Sequence, residues 1–223
     1  REARLGPERA CAQGWISPRA MRNGIIVTVL FACLIGSALL FYAGWELTIV
    51  GLLCVLFAFL YTTGPYPLSY NGWGDVLVIV FFGFVPVGGT YYVQALTWTS
   101  DTTVASLICG LLIDTLLVVN NYRDREADAR SGKRTVIVRF GEKFGRYLYL
   151  MLGVAASLLC FWFFFEGHLF AALLPLLYLI PHVLTWRRMV QIHSGKKLNS
   201  ILGETSRNML LMGILIAIGM LIN

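Results

Sequence analysis

Two aspartates, Asp124 and Asp128, stand four residues apart in a polar segment that directly follows an apolar run ending at Val119. If a helix continues through this segment, Asn120, Asp124 and Asp128 share one of its faces, with Asn121 adjacent. Two carboxylates at this spacing repel each other unless a cation lies between them. Hard oxygen ligands at that spacing suit Mg²⁺ held together with waters and substrate phosphates. The pattern is typical of a site for a diphosphate and Mg²⁺.

The same segment is rich in cationic side chains that would neutralise phosphate oxygens. They are Arg123, Arg125, Arg130, Lys133 and Arg134. Membrane topology provides an alternative explanation, because cytoplasmic loops of membrane proteins carry Lys and Arg whatever their function. The pattern alone therefore does not assign any single one of them to substrate.

Asp114 differs from these residues because it lies inside an apolar run. An acid within a membrane span usually faces a cavity or a partner. Counting by sevens puts Asp114, Asn121 and Asp128 on one stripe, which predicts that Asp114 lies beneath the site. A protonated residue bonded to a neighbouring helix is the alternative.

The composition predicts the element that carries these residues. With 57% hydrophobic and 13% charged residues and a mean hydropathy of +0.71, the chain is far more apolar than a soluble domain. It has room for one membrane-embedded helical bundle. We predict an all-α, polytopic transmembrane bundle with about seven spans, of which the second is short and the third is interrupted by Pro86, so that both are candidates for irregular helices. The runs are 25–45, 48–61, 76–95, 103–119, 147–165, 169–186 and 209–222.

All 18 Lys and Arg residues fall in three segments, 1–22, 123–146 and 187–207. Seven spans put these segments on one side, which the positive-inside rule makes cytoplasmic, with Asn223 outside. The predicted cytoplasmic loops are 1–24, 62–75, 120–146 and 187–207. Membrane topology thus explains the basic charge, and no nucleic acid is needed as a partner.

The predicted loop 62–75, TTGPYPLSYNGWGD, is cytoplasmic but contains no Lys or Arg. Loop charge therefore does not explain its polar and aromatic residues, Tyr66, Tyr70, Asn71 and Asp75. Its turn residues and aromatics suit a loop packed over another part of the protein.

At this point the residues resemble a known family. Residues 120–141, NNYRDREADARSGKRTVIVRFG, resemble the second aspartate-rich motif of the UbiA-type intramembrane prenyltransferases and are most similar to its 1,4-dihydroxy-2-naphthoate polyprenyltransferases. Residues 8–21, 64–75 and 81–94 are similar to the same branch. The resemblance extends over essentially the whole chain.

The resemblance implies a nine-span fold, of which seven spans are expected here within a single membrane-embedded domain, 1–223, that is incomplete at its N-terminus. The family's first aspartate motif would precede residue 1, so this chain is expected to be poorly active or inactive. The implied location is a bacterial inner membrane, with the active face cytoplasmic.

The implied reaction transfers a polyprenyl group from its diphosphate to 1,4-dihydroxy-2-naphthoate, releasing diphosphate and CO₂ and giving demethylmenaquinone, with Mg²⁺ as cofactor and the bilayer as surroundings. Asp124 and Asp128 are the implied metal ligands. The implied catalytic residues are Asp124, Asp128, Asn121 and Arg123. The expected substrate-binding residues are Asn120, Lys133, Arg134, Tyr66, Tyr70, Asn71 and Asp75.

Two alternatives stay open at this stage. One is another aromatic acceptor, such as 4-hydroxybenzoate or homogentisate. The 4-hydroxybenzoate branch commonly has a Lys shortly after a Tyr-Pro pair, whereas Tyr66-Pro67 here is followed by Leu68, Ser69 and Tyr70. A non-enzymatic transporter is the other. Transport predicts ionisable residues along several spans, whereas almost all charges here lie at one membrane face.

Overall fold

The computed structural model describes residues 5–6 and 8–222, which form helices and connections with no strand among them. The start of the first basic segment, residues 1–4 with Pro7, and the predicted outer terminus Asn223 lie outside the described residues. In chain order the α-helices are α1 (Pro18–Ala38), α2 (Glu46–Thr62), α3 (Gly74–Val78), α4 (Gly89–Ala95), α5 (Ser100–Arg130), α6 (Val136–Leu159), α7 (Trp162–Phe165), α8 (Leu169–Leu173), α9 (Leu179–Ile192) and α10 (Leu198–Leu221).

Six helical units are long and apolar enough to cross a membrane, and the 17-residue α2 is a shorter seventh. The units are Pro18–Phe41, Gly74–Ala95, Ser100–Arg130, Val136–Phe165, Leu169–Ile192 and Leu198–Leu221. The predicted all-α, multi-pass bundle of about seven apolar helices is confirmed. α1 has no buried residue and packs mainly against its neighbour α2, so most of its apolar surface is available to lipid.

The third span is irregular, as its sequence predicts. α3 continues into a π-helix, Ile79–Gly88, which contains Pro86 and leads directly into α4. Proline cannot donate an intrahelical hydrogen bond and disturbs the preceding turn. The expectation of irregularity was wrong for α2, an unbroken α-helix with no internal proline.

Helix α5 is the centre of the bundle, in contact with the third span, α6 and α10. Thr99 caps its N-terminus by accepting a hydrogen bond from the Thr102 amide at 3.2 Å. Close packing on the third span depends on small residues, because a Cβ on Gly83 would come within 2.8 Å of the Gly110 Cα. Two buried apolar clusters surround α5, one around Tyr122 and Tyr149 and the other around Ile108 and Phe163.

The helices extend into segments that the sequence suggests are loops. α5 runs on to Arg130 and α6 begins at Val136, and only residues 193–197 separate α9 from α10. Side-chain and glycine caps account for these ends. Thr135 accepts a hydrogen bond from the Val138 amide at 3.3 Å, and Gly132 has a φ of +78° just past the end of α5.

Candidate active site

Helix α5 is longer than a membrane span needs. Its 31 residues make a helix about 46 Å long, whereas the apolar core of a bilayer is about 30 Å thick. A span that begins at Ser100 therefore ends at about Asn120, and Asp124 and Asp128 lie on the helix end that projects beyond it. Asp114 lies about 9 Å below Asn120 along the helix axis.

The stripe predicted by sevenfold spacing faces the bundle. Asp114 is 1% exposed, and Asn121 and Asp128 are each 7% exposed. Polar groups are buried at such a cost that each normally has a partner. This stripe is therefore the side of α5 on which the protein, and not lipid, surrounds the polar residues.

A glycine turn brings Lys133 back onto Asp128. The Lys133 amide donates to the Asp128 carbonyl oxygen at 2.9 Å and the Gly132 amide donates to the Ala129 carbonyl oxygen at 3.2 Å, a Schellman ending. The Lys133 Nζ then lies 3.0 Å from Asp128 Oδ1. The turn formed by residues 131–133 thus places the Lys133 ammonium group beside the Asp128 carboxylate.

Arg123 connects several polar residues near the C-terminal end of α5. Its guanidinium donates to both carboxylate oxygens of Asp124, at 2.8 and 2.7 Å, and to Asn120 Oδ1 at 2.7 Å. A fourth hydrogen bond, 2.7 Å long, reaches Asn199 Oδ1 on α10. The Arg123 residue is 4% exposed. All these bonds fix the positions of Asn120 and Asp124, so the structure gives Arg123 a positioning contact.

The loop between α2 and α3 packs against the connection from α5 to α6. The Arg134 amide donates to the Tyr70 carbonyl oxygen at 2.7 Å, and Arg139 Nη2 donates to the Asn71 carbonyl oxygen at 2.8 Å. The Lys133 Nζ lies 5.2 Å from the centre of the Tyr70 ring, in range of a cation–π contact. Gly72 makes the approach possible, since a Cβ there would meet the Arg134 carbonyl oxygen at 2.9 Å. These contacts hold the loop against residues 133–139.

A cavity of about 490 Å³ lies between these two segments and α5. Its volume is within the range of small-molecule sites. Of the predicted site residues, the cavity brings together Asn120, Asn121, Lys133, Tyr70 and Asp75. Its remaining lining residues are Arg9, Tyr61, Thr62, Ser69, Gly72, Gly74, Leu117 and Thr135.

The other predicted site residues do not line this cavity in the described part of the chain. Arg123 lies beside it through its hydrogen bond to Asn120, and Asp124 pairs with Arg123. Asp128 pairs with Lys133, which does line the cavity. Asn71 is turned inward within its own loop, where its Nδ2 donates to the Pro67 carbonyl oxygen at 2.8 Å. The side chains of Tyr66 and Arg134 are exposed.

Several residues around the site have no signal in the local sequence. Asn199 holds Arg123 from 76 residues away. Glu142 accepts hydrogen bonds from the Tyr122 hydroxyl at 3.0 Å and Arg125 Nη2 at 3.2 Å, and it pairs with Arg146 and, at 3.0 Å, with His193 Nε2. This network connects α5, α6 and the end of α9.

The sequence profile of the UbiA prenyltransferase family matches residues 2–218. The chain belongs to the UbiA prenyltransferase family. It is 36% identical to the 1,4-dihydroxy-2-naphthoate octaprenyltransferase of Haemophilus influenzae over 99% of this chain and 74% of that protein. It is 38% identical to the enzyme of the same name from Escherichia coli, over 70% of this chain and 53% of that protein.

The enzyme of that name from Mycobacterium tuberculosis is 37% identical over 71% of this chain and 54% of its own length. The chain thus spans three quarters of one of these UbiA family relatives and about half of the other two. No solved protein structure matches the chain significantly.

Enzymes of the UbiA family generally depend on a divalent metal. Within the described residues, no three His, Cys, Asp or Glu side chains are grouped so that they would hold a metal ion. Asp124 and Asp128 nevertheless fit Mg²⁺ in donor type, because they offer carboxylate oxygens one turn apart on a projecting helix end. Each is held by a neighbouring cation, Arg123 or Lys133, so its position is already fixed.

Proposed function

We propose that this protein is a 1,4-dihydroxy-2-naphthoate polyprenyltransferase. It transfers a polyprenyl group from its diphosphate to the naphthoate ring, releasing diphosphate and CO₂ and giving demethylmenaquinone. The supporting observation is the polar end of α5, where Asn120, Asn121 and Lys133 line a cavity beside Asp124 and Asp128. The naphthoate acceptor is supported by the names of the relatives from three bacteria.

In this proposal the diphosphate lies at the projecting end of α5. Mg²⁺ bound by Asp124 and Asp128 would neutralise charge on the leaving diphosphate. Lys133 donates to a diphosphate oxygen from the cavity wall, and the amides of Asn120 and Asn121 add neutral donors. Arg123 keeps Asn120 and Asp124 in place during the reaction.

The prenyl tail is apolar and is proposed to extend from the cavity along the apolar helices of the bundle. Bond breaking at the allylic carbon leaves a cationic centre that would react with water. The loop 63–73, packed over residues 133–139, covers the cavity and limits the access of water. The aromatic ring, with its electron-donating hydroxyl groups, then attacks that carbon.

The orientation is proposed to be cytoplasmic for the polar end of α5, in a bacterial inner membrane. The three segments that contain every Lys and Arg lie on that side of a seven-helix arrangement. The positive-inside rule supports this assignment. Labelling of intact cells with a membrane-impermeant amine reagent tests it, since Lys196 and Lys197 should be protected until the cells are opened.

The activity test combines detergent-purified protein with Mg²⁺, a polyprenyl diphosphate and 1,4-dihydroxy-2-naphthoate. The chain is assayed beside a version extended by the two N-terminal spans that the family resemblance implies. We expect prenylated product from the extended version. Asp124→Asn or Asp128→Asn should lower its rate about 100- to 1,000-fold, on the order expected for loss of electrostatic stabilisation of the leaving group. Folded protein that gives no product with this acceptor would contradict the proposal, and near-normal activity of both variants would contradict the metal assignment.

A further inference from the structure

Two acids at and beneath the inner end of the cavity have unused hydrogen-bonding capacity. Asp75 Oδ1 and Asp114 Oδ1 are both buried and accept no hydrogen bond from any described residue. The two carboxyl groups lie within electrostatic reach of each other. Asp75 lines the cavity, while the 1% exposed Asp114 lies deeper on α5. They form what we call the inner acid pair.

The inner acid pair selects for a hydrogen-bond donor. The unpartnered carboxyl oxygens are hydrogen-bond acceptors, and a buried acceptor with no donor is unfavourable. The Tyr61 hydroxyl lies close by, since it would be 3.5 Å from a Cβ on Gly74 and is in electrostatic reach of both acids. A tyrosine hydroxyl has one hydrogen to donate, so it cannot satisfy both free oxygens. A ligand that brings a hydroxyl group to this end would complete the hydrogen bonding.

The outer end of the cavity has the opposite charge. Arg9 and Lys133 are the two cationic side chains among its lining residues. Lys133 is fixed there by Asp128, 3.0 Å away, and by the Tyr70 ring. A ligand with an anionic group at one end and a hydroxyl group at the other therefore matches the polarity of the cavity, whereas the reversed orientation would bring an anion against two acids.

We propose that Asp75, with Asp114 behind it, accepts a hydrogen bond from the hydroxyl on ring carbon 4 of the aromatic acceptor. The acceptor's carboxylate and its neighbouring hydroxyl on carbon 1 face Arg9 at the outer end, which leaves Lys133 for the diphosphate. This inference rests on the proposed function, and it adds the orientation of the acceptor and the group that the site selects. Asp75 is the substrate-contacting residue and Asp114 is a positioning residue.

Two methyl ethers of the acceptor test whether Asp75 recognises the hydroxyl on carbon 4 or whether the site binds naphthalenes in general. Methylation of the hydroxyl on carbon 4 removes the donor that Asp75 uses, whereas methylation of the hydroxyl on carbon 1 leaves it intact. A hydrogen bond to a charged group corresponds to about a 10- to 100-fold difference in dissociation constant. We expect the 4-methyl ether to bind that much more weakly than 1,4-dihydroxy-2-naphthoate, and the 1-methyl ether to bind within about 3-fold of it.

Equilibrium dialysis with the chain in nanodiscs, under anaerobic conditions, measures these constants without requiring turnover. Asp75→Asn should weaken binding of the dihydroxynaphthoate by about 10-fold or more and reduce its discrimination against the 4-methyl ether below 3-fold, because an amide also donates to an ether oxygen. Asp101→Asn is the matched control. Asp101 accepts a hydrogen bond from Trp162 Nε1 at 2.7 Å at the opposite end of α5, and asparagine keeps an acceptor oxygen there.

The outcomes separate the inference from the proposed function. Equal binding of the dihydroxynaphthoate and its 4-methyl ether by the unmodified chain would overturn the role of Asp75, even if Asp75→Asn does not fold. Unchanged discrimination in a folded Asp75→Asn variant would overturn it as well. Absence of any dihydroxynaphthoate binding would instead contradict the proposed acceptor, and with it this orientation.

Discussion

Replacing Arg123 with methionine is expected to destabilise the protein although Arg123 lies at the polar end of the bundle. The guanidinium makes four hydrogen bonds of 2.7–2.8 Å, to Asp124, Asn120 and Asn199. Methionine fills much of the same volume but donates none of them. The Asp124 carboxylate and two amide oxygens would lose their common donor, and the connection between α5 and α10 would be broken.

The magnitude follows from burial. Removing one partner of a buried ion pair costs about 3–5 kcal/mol, because the other charge is left uncompensated. The Asp124 side chain is 21% exposed and the Arg123 side chain 2%, so water partly replaces the lost donor and the lower end applies. We therefore expect a loss of about 3 kcal/mol in the free energy of unfolding.

Thermal unfolding in detergent measures this effect. For a chain of 150–250 residues, about 1 kcal/mol corresponds to roughly 2–4 °C, so Tm should fall by about 6–12 °C. Arg134→Met is the matched control, because Arg134 is an exposed arginine of the same basic segment. Substitution of an exposed side chain usually changes stability by about 0.5 kcal/mol or less. If the two variants melt within 2 °C of each other, the positioning role of Arg123 is refuted.

Three further predictions concern the segments over the cavity. In the prenyltransfer assay proposed above, Lys133→Met should raise the KM for polyprenyl diphosphate about 10-fold, as expected for one charge-assisted hydrogen bond, and Arg134→Met less than about 2-fold. Equal effects of the two variants would contradict the cavity assignment. Gly72→Ala should lower Tm more than Gly64→Ala. Both glycines have positive φ, but only a Cβ on Gly72 would lie 2.9 Å from a carbonyl oxygen. Equal Tm values for the two variants would mean that the loop is not tightly docked. Gly132→Ala should cost about 1–2 kcal/mol, because its φ of +78° is strained for alanine, and faster amide exchange at residues 131–135 checks it.

Sequence periodicity predicts much of this architecture. Hydropathy identifies each apolar helix, because a span needs about 20 apolar residues whatever its neighbours are. Sevenfold spacing identifies the buried face of α5, and burial of Asp114, Asn121 and Asp128 agrees with it. Pro86 marks the third span as irregular because the effect of proline on a helix is local.

Contacts between distant segments are not encoded in such patterns. A helical period tells which face of α5 is buried but not which helix covers it, so neither the bond from Arg123 to Asn199 nor the approach of Asp75 to Asp114 follows from sequence. The docking of loop 63–73 depends on a backbone bond to the Tyr70 carbonyl oxygen, which any residue type provides. The exposure of Tyr66 likewise depends on how this loop docks, which its residue type does not determine.

The basic residues of segment 123–134 have two explanations from sequence, membrane topology and phosphate binding, and their contacts in the structure differ. Arg123 is buried against Asn120 and Asp124, and Lys133 is held between Asp128 and the cavity. Arg125 donates to Glu142 and to the Tyr122 carbonyl oxygen, joining α5 to α6.

Membrane topology requires positive charge on this side of the bilayer, but it does not require any of these charges to be buried or paired. Burial of a charge is costly unless a partner compensates it. Arg123 pairs with Asp124 and Lys133 with Asp128, whereas charge that serves orientation alone needs no such pairing. Arg125 is also paired, with Glu142, but that contact joins α5 to α6. We propose that Arg123 and Lys133 are the site charges of this segment and that the exposed Arg134 serves orientation.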